Sequence, residues 1–142
     1  MLESKIRSYE NDTIVVQYDV KRCIHAAECV RGLPTVFNPQ RRPWIDTNGA
    51  SADDIAAVIA RCPTGALHYS RNDGGAAEAV PAEHSVTLEP DGPLVLRGHF
   101  QITDQAGHVL LEDTRIALCR CGASQNKPLC DGSHHTIGFA AD

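Results

Sequence analysis

Cys119, Cys121, Cys130 and His134 stand in the order C-x-C-x₈-C-x₃-H. Side chains alternate along an extended strand, so the thiols of Cys119 and Cys121 point to one side. Residues four apart share a face of a helical turn, which brings Cys130 and His134 together, with Asp131 as the cap of that turn. The eight-residue loop between the pairs can fold them toward each other. Two ligand pairs suit a [2Fe–2S] rhomb, whose irons each take two protein ligands besides bridging sulfide. A tetrahedral Cys₃His zinc site could use the same four groups, although zinc ligands more often sit at C-x₂₋₄-C. Three disulfides would be another use of six cysteines. The convergent Cys119/Cys121 pair favours metal.

The other three cysteines lie in the first half. Cys23 and Cys29 bracket Ile24-His25-Ala26-Ala27-Glu28, and Cys62 immediately precedes Pro63. Their simplest alternative use is as buried thiols of a small core. His25 and Glu28 add a nitrogen and an oxygen donor beside them. His68, His84, His99 and His108 lack ligand spacing and read as solvated or structurally bonded. His135 would point about 100° away from His134 on a helix, toward solvent.

The elements that must position these groups emerge from local pattern. Lys5–Tyr9 and Thr13–Tyr18 read as strands joined by a turn at Glu10-Asn11-Asp12. A short helical stretch after Cys29 runs to Leu33. Pro34, Pro39 and Pro43 then break the chain into short extended pieces at Val36-Phe37 and Trp44-Ile45. Ser51-Ala52-Asp53-Asp54 resembles a capping box, and Ile55, Val58, Ile59 and Cys62 come next at helical spacing. Pro63 and Gly65 end that helix before a strand at Ala66–Tyr69. Residues 71–84 are rich in small residues, Gly and Pro, and read as a linker. Beyond it, Ser85–Glu89, Leu94–Thr103 and His108–Leu118 read as strands, with Gly107 in a hairpin turn.

Composition narrows the function classes. The 142 residues are 42 % hydrophobic, which is globular. Aromatics are only 5 %, so a small core needs metal or covalent support. The net charge is −5, which argues against non-specific nucleic-acid binding. Lys+Arg and Asp+Glu balance at nine each over residues 1–76 and stand at four against nine over residues 77–142. Lys21, Arg22, Arg31, Arg41 and Arg42 crowd around the first cysteines, as a solvated face or a docking patch for an acidic redox partner. No apolar run approaches the ~18–20 residues needed to cross a bilayer. Met1–Glu10 is charged and has no apolar stretch, so a cytoplasmic setting is expected.

Over about residues 4–70 the chain resembles the divergent mono-cluster ferredoxins. Arg42-Pro43-Trp44-Ile45 and Cys62-Pro63-Thr64-Gly65-Ala66-Leu67 agree with that pattern, and Cys23 and Cys29 take the first and third places of its C-x₂-C-x₂-C run. The resemblance implies a cubane-type cluster on Cys23, Cys29 and Cys62. Ala26 stands at the middle place and has no donor. Three thiolates suit [3Fe–4S]; [4Fe–4S] would need water, an exogenous ligand or His25 at the fourth corner.

Over about residues 85–139 the chain resembles the CDGSH iron–sulfur (NEET) family. Cys-Asp-Gly-Ser-His is present verbatim at 130–134, and Ser124 and Pro128 fall at family positions. That resemblance implies one [2Fe–2S] cluster on Cys119, Cys121, Cys130 and His134, and a homodimer with intertwined strands. Asp131, Glu112 and Asp113 would oppose added negative charge if close to it, and Lys127 would offset them.

The expected fold is α+β: a ferredoxin-like domain over 1–70, a linker over 71–84 and a β-rich CDGSH-type domain over 85–142. No nucleophile–base arrangement, phosphate loop or nucleotide fingerprint is present, and no substrate pocket is evident. The expected function is therefore electron transfer or redox sensing, with a reductase or electron acceptor as partner, and not enzymatic catalysis. Delivery of a cluster to an apo-acceptor protein is the alternative, because neutral imidazole leaves iron more readily than thiolate.

Overall fold

The computed structural model describes residues 2–142. Its regular elements, among the described residues, are two antiparallel three-stranded sheets and three short helices. No helix is long and apolar enough to cross a membrane.

The first sheet has the order β1 (Ile6–Glu10), β2 (Ile14–Asp19), β3 (Leu67–Arg71). Asn11 makes the β1–β2 turn: its Oδ1 accepts the amides of Thr13 (2.8 Å) and Ile14 (3.0 Å), the local bond that makes Asn a turn former. Ile14 and Val16 alternate onto the buried face of β2. Helix α1 (Glu28–Gly32) comes after the first cysteine loop, and α2 (Ala52–Ile59) starts at Ser51, whose hydroxyl accepts the Asp54 amide at 3.1 Å. Ile55, Val58 and Ile59 then fall on one face and pack with Ile14, Val16, Phe37, Ile45 and Leu67. Phe37 pairs with Ile45 in an isolated antiparallel bridge. Each fully buried Ile or Phe here contributes roughly 1.5–3 kcal/mol by leaving water.

The second sheet has the order β4 (Ser85–Leu88), β5 (Leu94–Thr103), β6 (Val109–Leu118). Its core is small: Leu96, Ile116 and Leu129, flanked by partly buried Leu94, Phe100 and Leu118. The Pro128–Cys130 segment extends this sheet. Leu129 bridges Leu118, the Cys119 amide donates to the Pro128 carbonyl (2.8 Å), and the Cys130 amide donates to the Ala117 carbonyl (2.9 Å). Helix α3 (Ser133–Ile137) closes the arrangement.

A buried charge network joins the sheets. Arg115, on β6, is 3 % exposed. It donates to the carbonyls of Ile59 (2.8 Å), Cys62 (2.9 Å) and Leu67 (2.6 Å) and to Glu78 Oε1 (2.5 Å). Arg22 reaches the other way, to Asp113 Oδ2 (2.6 Å) and the carbonyls of Thr64 (2.5 Å) and Arg115 (2.8 Å). His68 lies between Asp113 (Nε2–Oδ2, 2.8 Å) and Glu78 (Nδ1–Oε1, 2.7 Å). With both ring nitrogens on carboxylates, the imidazolium is favoured and its pKa rises to about 9 even though burial opposes the charge. Protonated Nδ1 donates to Glu78, so its 3.1 Å approach to Arg115 is a contact between two donors. Glu78 comes from the stretch 72–84, which has no helix or strand. That stretch is thus tied to both sheets.

One sequence expectation changes here. Arg22 does not belong to the surface crowd of cations, because it is 7 % exposed and spent on the network. Asp113 is likewise buried, its charge paired with Arg22 and His68.

Gly65 shows how tightly the network is packed. Its φ of +73° lies in the left-handed region, and a Cβ there would collide with the Arg22 guanidinium, the Arg115 carbonyl and the Asp113 carboxylate. Gly74 has a similar φ of +79° but open space around it. Ala at either site incurs the same kind of backbone cost, roughly 1 kcal/mol. Gly65→Ala should therefore lower the thermal midpoint well below that of Gly74→Ala. Equal midpoints would mean that the network yields freely.

Candidate metal centres

Cys23, Cys29 and Cys62 converge on one cavity of about 730 Å³. Tyr18 of β2 and Trp44 form part of its wall, their rings meeting edge-on at 4.9 Å. Cys23 lies just after β2, Cys29 in the first turn of α1, and Cys62 just beyond α2. The loop between the first two is wound by two left-handed residues, His25 (φ 58°) and Ala27 (φ 64°). This conformation is costly without glycine and is found where surrounding structure over-determines it. The winding aims the His25 amide at Cys23 Sγ (3.4 Å) and holds His25 Nδ1 3.9 Å from the same sulfur.

The thiols differ in their electrostatics. Burial, and after it the nearby Cys62, pushes Cys29 up to about 11. Cys62 is also buried, but the Thr64 hydroxyl and amide, the Leu67 amide and the Arg115 charge together hold its pKa below the usual thiol value. Burial and Cys23 push the Tyr18 phenol upward. Three thiols around one cavity, with a hydroxyl, amides and a buried cation favouring thiolate at one of them, match the donor chemistry of an iron–sulfur cluster.

The second group forms two pairs. Cys119 and Cys121 come directly after β6, with sulfurs 3.9 Å apart. Cys130 Sγ and His134 Nδ1 are 3.5 Å apart. The strand-like 128–130 segment sets Cys130 beside the end of β6, while α3 carries His134. Only His134 of that pair is helical; Cys130 lies three residues before α3. The cap position is Gly132, in the left-handed conformation (φ 87°), and not Asp131. Asp131 still organises the turn: its Oδ1 accepts the Ser133 amide (3.0 Å) and its Oδ2 the Gln125 amide (2.8 Å).

Amides surround these sulfurs. Gly122 donates to Cys119 (3.3 Å), Ala123 to Cys121 (3.4 Å) and Gly132 to Cys130 (3.4 Å). Burial raises the Cys119 thiol, but the amides of Ser124 and Gly122 outweigh it and lower its pKa overall. For Cys130, burial wins and the pKa rises. Ser124 fixes the intervening loop by donating to the Leu129 carbonyl (2.6 Å) and accepting the Asn126 amide (3.0 Å). His134 is buried, and burial together with the neighbouring His135 lowers its pKa, which favours the neutral, ligating form. His135 is exposed, as the sequence suggests, and its ring lies 4.1 Å from that of His134. Among the described residues, no three His, Cys, Asp or Glu side chains converge closely enough to hold a single metal ion.

The structure brings each set of candidate ligands together and keeps the sets apart. It also shows three groups that carry no signal in the sequence, because each acts across a long separation in the chain or through a ring's position. Arg115 serves the carbonyl of Cys62. Tyr18 adjoins Cys23. Asn126 donates from the loop near Cys130 to the Lys21 carbonyl (2.9 Å).

Comparison with known proteins agrees with this division. Residues 9–72 match the family model described as divergent 4Fe-4S mono-cluster, and residues 91–135 match the iron-binding zinc finger of CDGSH type. Over 69 residues the chain is 36 % identical to uncharacterized protein YjdI of Escherichia coli K12, and to the protein of the same name in strain O157:H7. The match covers 49 % of this chain and 91 % of each relative. The chain therefore belongs to the divergent 4Fe-4S mono-cluster family through residues 9–72, and it joins that domain to a CDGSH-type iron-binding domain at residues 91–135.

Proposed function

We propose that this iron–sulfur protein is a two-cluster electron carrier or redox sensor and not an enzyme. Its N-terminal part is ferredoxin-like and its C-terminal part is of the CDGSH/NEET type. In this reading Cys119, Cys121, Cys130 and His134 hold a [2Fe–2S] cluster, and Cys23, Cys29 and Cys62 hold a [3Fe–4S] or [4Fe–4S] cluster. Iron–sulfur clusters supply one-electron exchange, and the protein tunes it through charge and hydrogen bonds to sulfur.

The observation that carries this reading is the separation of the cysteines into two groups, each with its own amide donors. The first group encloses a cavity, and the second presents two pairs. Two pairs support a binuclear cluster over a single tetrahedral zinc. His25 stands close to Cys23, which supports it as the fourth donor of the N-terminal cluster or as a hydrogen-bond donor to it.

The test is anaerobic isolation with iron and sulfide counts and electron paramagnetic resonance (EPR). Brown protein with two kinds of cluster signal is expected. Cys119→Ser/Cys121→Ser should abolish the [2Fe–2S] signal and keep the other. Colourless zinc protein, or loss of both signals together, would overturn the reading.

Cluster delivery is the second reading. It is favoured by the position of His134 and His135 on the wall of a cleft of about 480 Å³ that Ile24, Ala26 and Pro63 also line. Transfer to an apo-ferredoxin faster than spontaneous loss would support it; retention with rapid reduction by a reductase would not.

The proposal includes a homodimer. Every residue of β4 is exposed, including Val86 and Leu88, and Val109 at the start of β6 is exposed too. An exposed apolar edge strand pairs readily with a second chain. Sedimentation should give about twice the 15.3 kDa chain mass; a monomer at micromolar concentration would rule the dimer out.

A further inference from the structure

We propose that the two metal centres form one intramolecular electron relay, passing an electron across the contact between Ile24 and Gly132. The inference rests on the two-cluster reading and adds the partner: each centre's immediate redox partner is the other centre of the same chain.

The contact joins the two ligand loops themselves. Ile24 is next to Cys23 in the chain, and its carbonyl oxygen lies 3.6 Å from where a Cβ would stand on Gly132. Gly132 is the third residue of the Cys130–His134 segment, and its amide donates to Cys130 Sγ at 3.4 Å. A continuous path therefore runs through the bonds of Cys23 to the Ile24 carbonyl. It crosses one through-space gap to Gly132 and ends in an N–H···S bond on a ligand of the second centre. Tunnelling decays steeply with separation and more slowly through bonds than through space, so a path with a single short gap favours rapid exchange. The φ of 87° at Gly132 suits glycine.

Two further ties hold the loops in this register. Asn126, between Cys121 and Cys130, donates to the Lys21 carbonyl two residues before Cys23 (2.9 Å). Arg22, beside Cys23, is locked to Asp113 and to the Arg115 carbonyl. Neither tie involves a metal ligand side chain; the first fixes one ligand loop against the other, and the second fixes the Cys23 segment against β6, the strand that leads to Cys119.

The step is a one-electron exchange: one cluster is oxidised by one electron, the other is reduced by one, and no bond is made or broken. The first electron comes from an external one-electron donor, such as a reduced flavin or a reduced ferredoxin.

The test uses the full chain with both clusters loaded, verified first by iron, sulfide and EPR. Failure to load two clusters would overturn the two-cluster reading and the relay with it, whereas the outcomes below bear on the relay alone. With both centres poised paramagnetic, the [2Fe–2S] EPR signal should saturate at a microwave power tenfold or more above that of Cys23→Ser/Cys29→Ser, which lacks the N-terminal cluster. After sub-stoichiometric reduction, redistribution between the centres should proceed at a first-order rate unchanged by tenfold dilution. A mixture of the two single-cluster variants should instead slow about tenfold on that dilution. Asn126→Ala should reduce the first-order rate several-fold while both clusters remain loaded. Identical power saturation in the two-cluster and one-cluster proteins, or redistribution in the full chain that slows on dilution like the mixture, would overturn the relay.

Discussion

Arg115→Ala is expected to destabilise the loaded protein by roughly 3–5 kcal/mol, the range for removing one partner from a buried ion pair. The substitution strands four acceptors at once: three carbonyls of the N-terminal part and the Glu78 carboxylate. Arg97→Ala is the control. Arg97 makes one exposed bond across the junction, to the Ala60 carbonyl (3.1 Å), and should change stability by less than about 1 kcal/mol. Thermal midpoints under argon compare the two; similar midpoints would remove the network from the account of stability.

The same network predicts two pH limbs. Asp113, partnered by His68 and Arg22, is held down to about 2 from its ordinary 3.8 despite burial. Its contribution is present above the ordinary carboxylate value and is lost as pH falls toward 2. His68 is raised from 6.5 to about 9. Its contribution is complete below 6.5 and is lost as pH rises through 9. Stability from this unit should therefore be greatest between about pH 4 and 6.5. His68→Gln should flatten the alkaline limb and shrink the acid limb to the part that Arg22 sustains, because His68 is the first partner lowering Asp113. A variant that keeps the alkaline limb would assign it elsewhere.

The elements are legible in the sequence because they depend on local chemistry. Asn11, Ser51 and the Ile55/Val58/Ile59 spacing each act within four residues, and the structure has the expected turn, cap and buried face. The ligand groups are legible for a related reason, since the spacing within each group is short or ends at Cys-Pro. The joining of the two halves is not. Arg22 and Asp113 are 91 residues apart and Arg115 and Ile59 are 56 apart, and a charged residue with such a partner looks in sequence like any surface charge. Pro63 and Gly65 read in sequence as the end of the helix, but α2 already stops at Ile59; Gly65 is instead the opening through which Arg22 and Asp113 meet. Asp131 reads as a cap residue because Asp caps helices well, but glycine at 132 takes the left-handed place. A regular helix would turn His135 toward solvent. In a five-residue helix entered from a left-handed residue, His135 is exposed as expected and its ring also lies against that of His134.

That meeting of rings shapes the acid behaviour expected at the C-terminal centre. His134→Cys should slow the loss of [2Fe–2S] absorbance at mildly acidic pH, because a ligating imidazole competes with protons where histidine titrates. Burial and then His135 already lower the His134 pKa, so the wild-type site resists acid better than an isolated imidazole would. Removing His135 withdraws part of that protection. His135→Ala should raise the His134 pKa and move the onset of cluster loss to higher pH, opposite in sign to His134→Cys. The thiols are less exposed to this competition: bound thiolate is charged, and amides favour it at Cys119 in particular. The fourth thiolate of His134→Cys also adds negative charge and should lower the reduction potential, as His-ligated centres lie at higher potentials. Absorbance decay from pH 7 to 5 in the three proteins decides the matter. Equal decay in wild type and His134→Cys would move the ligand assignment away from His134. Unchanged decay in His135→Ala would mean that the adjacent ring has no electrostatic hold on the ligand.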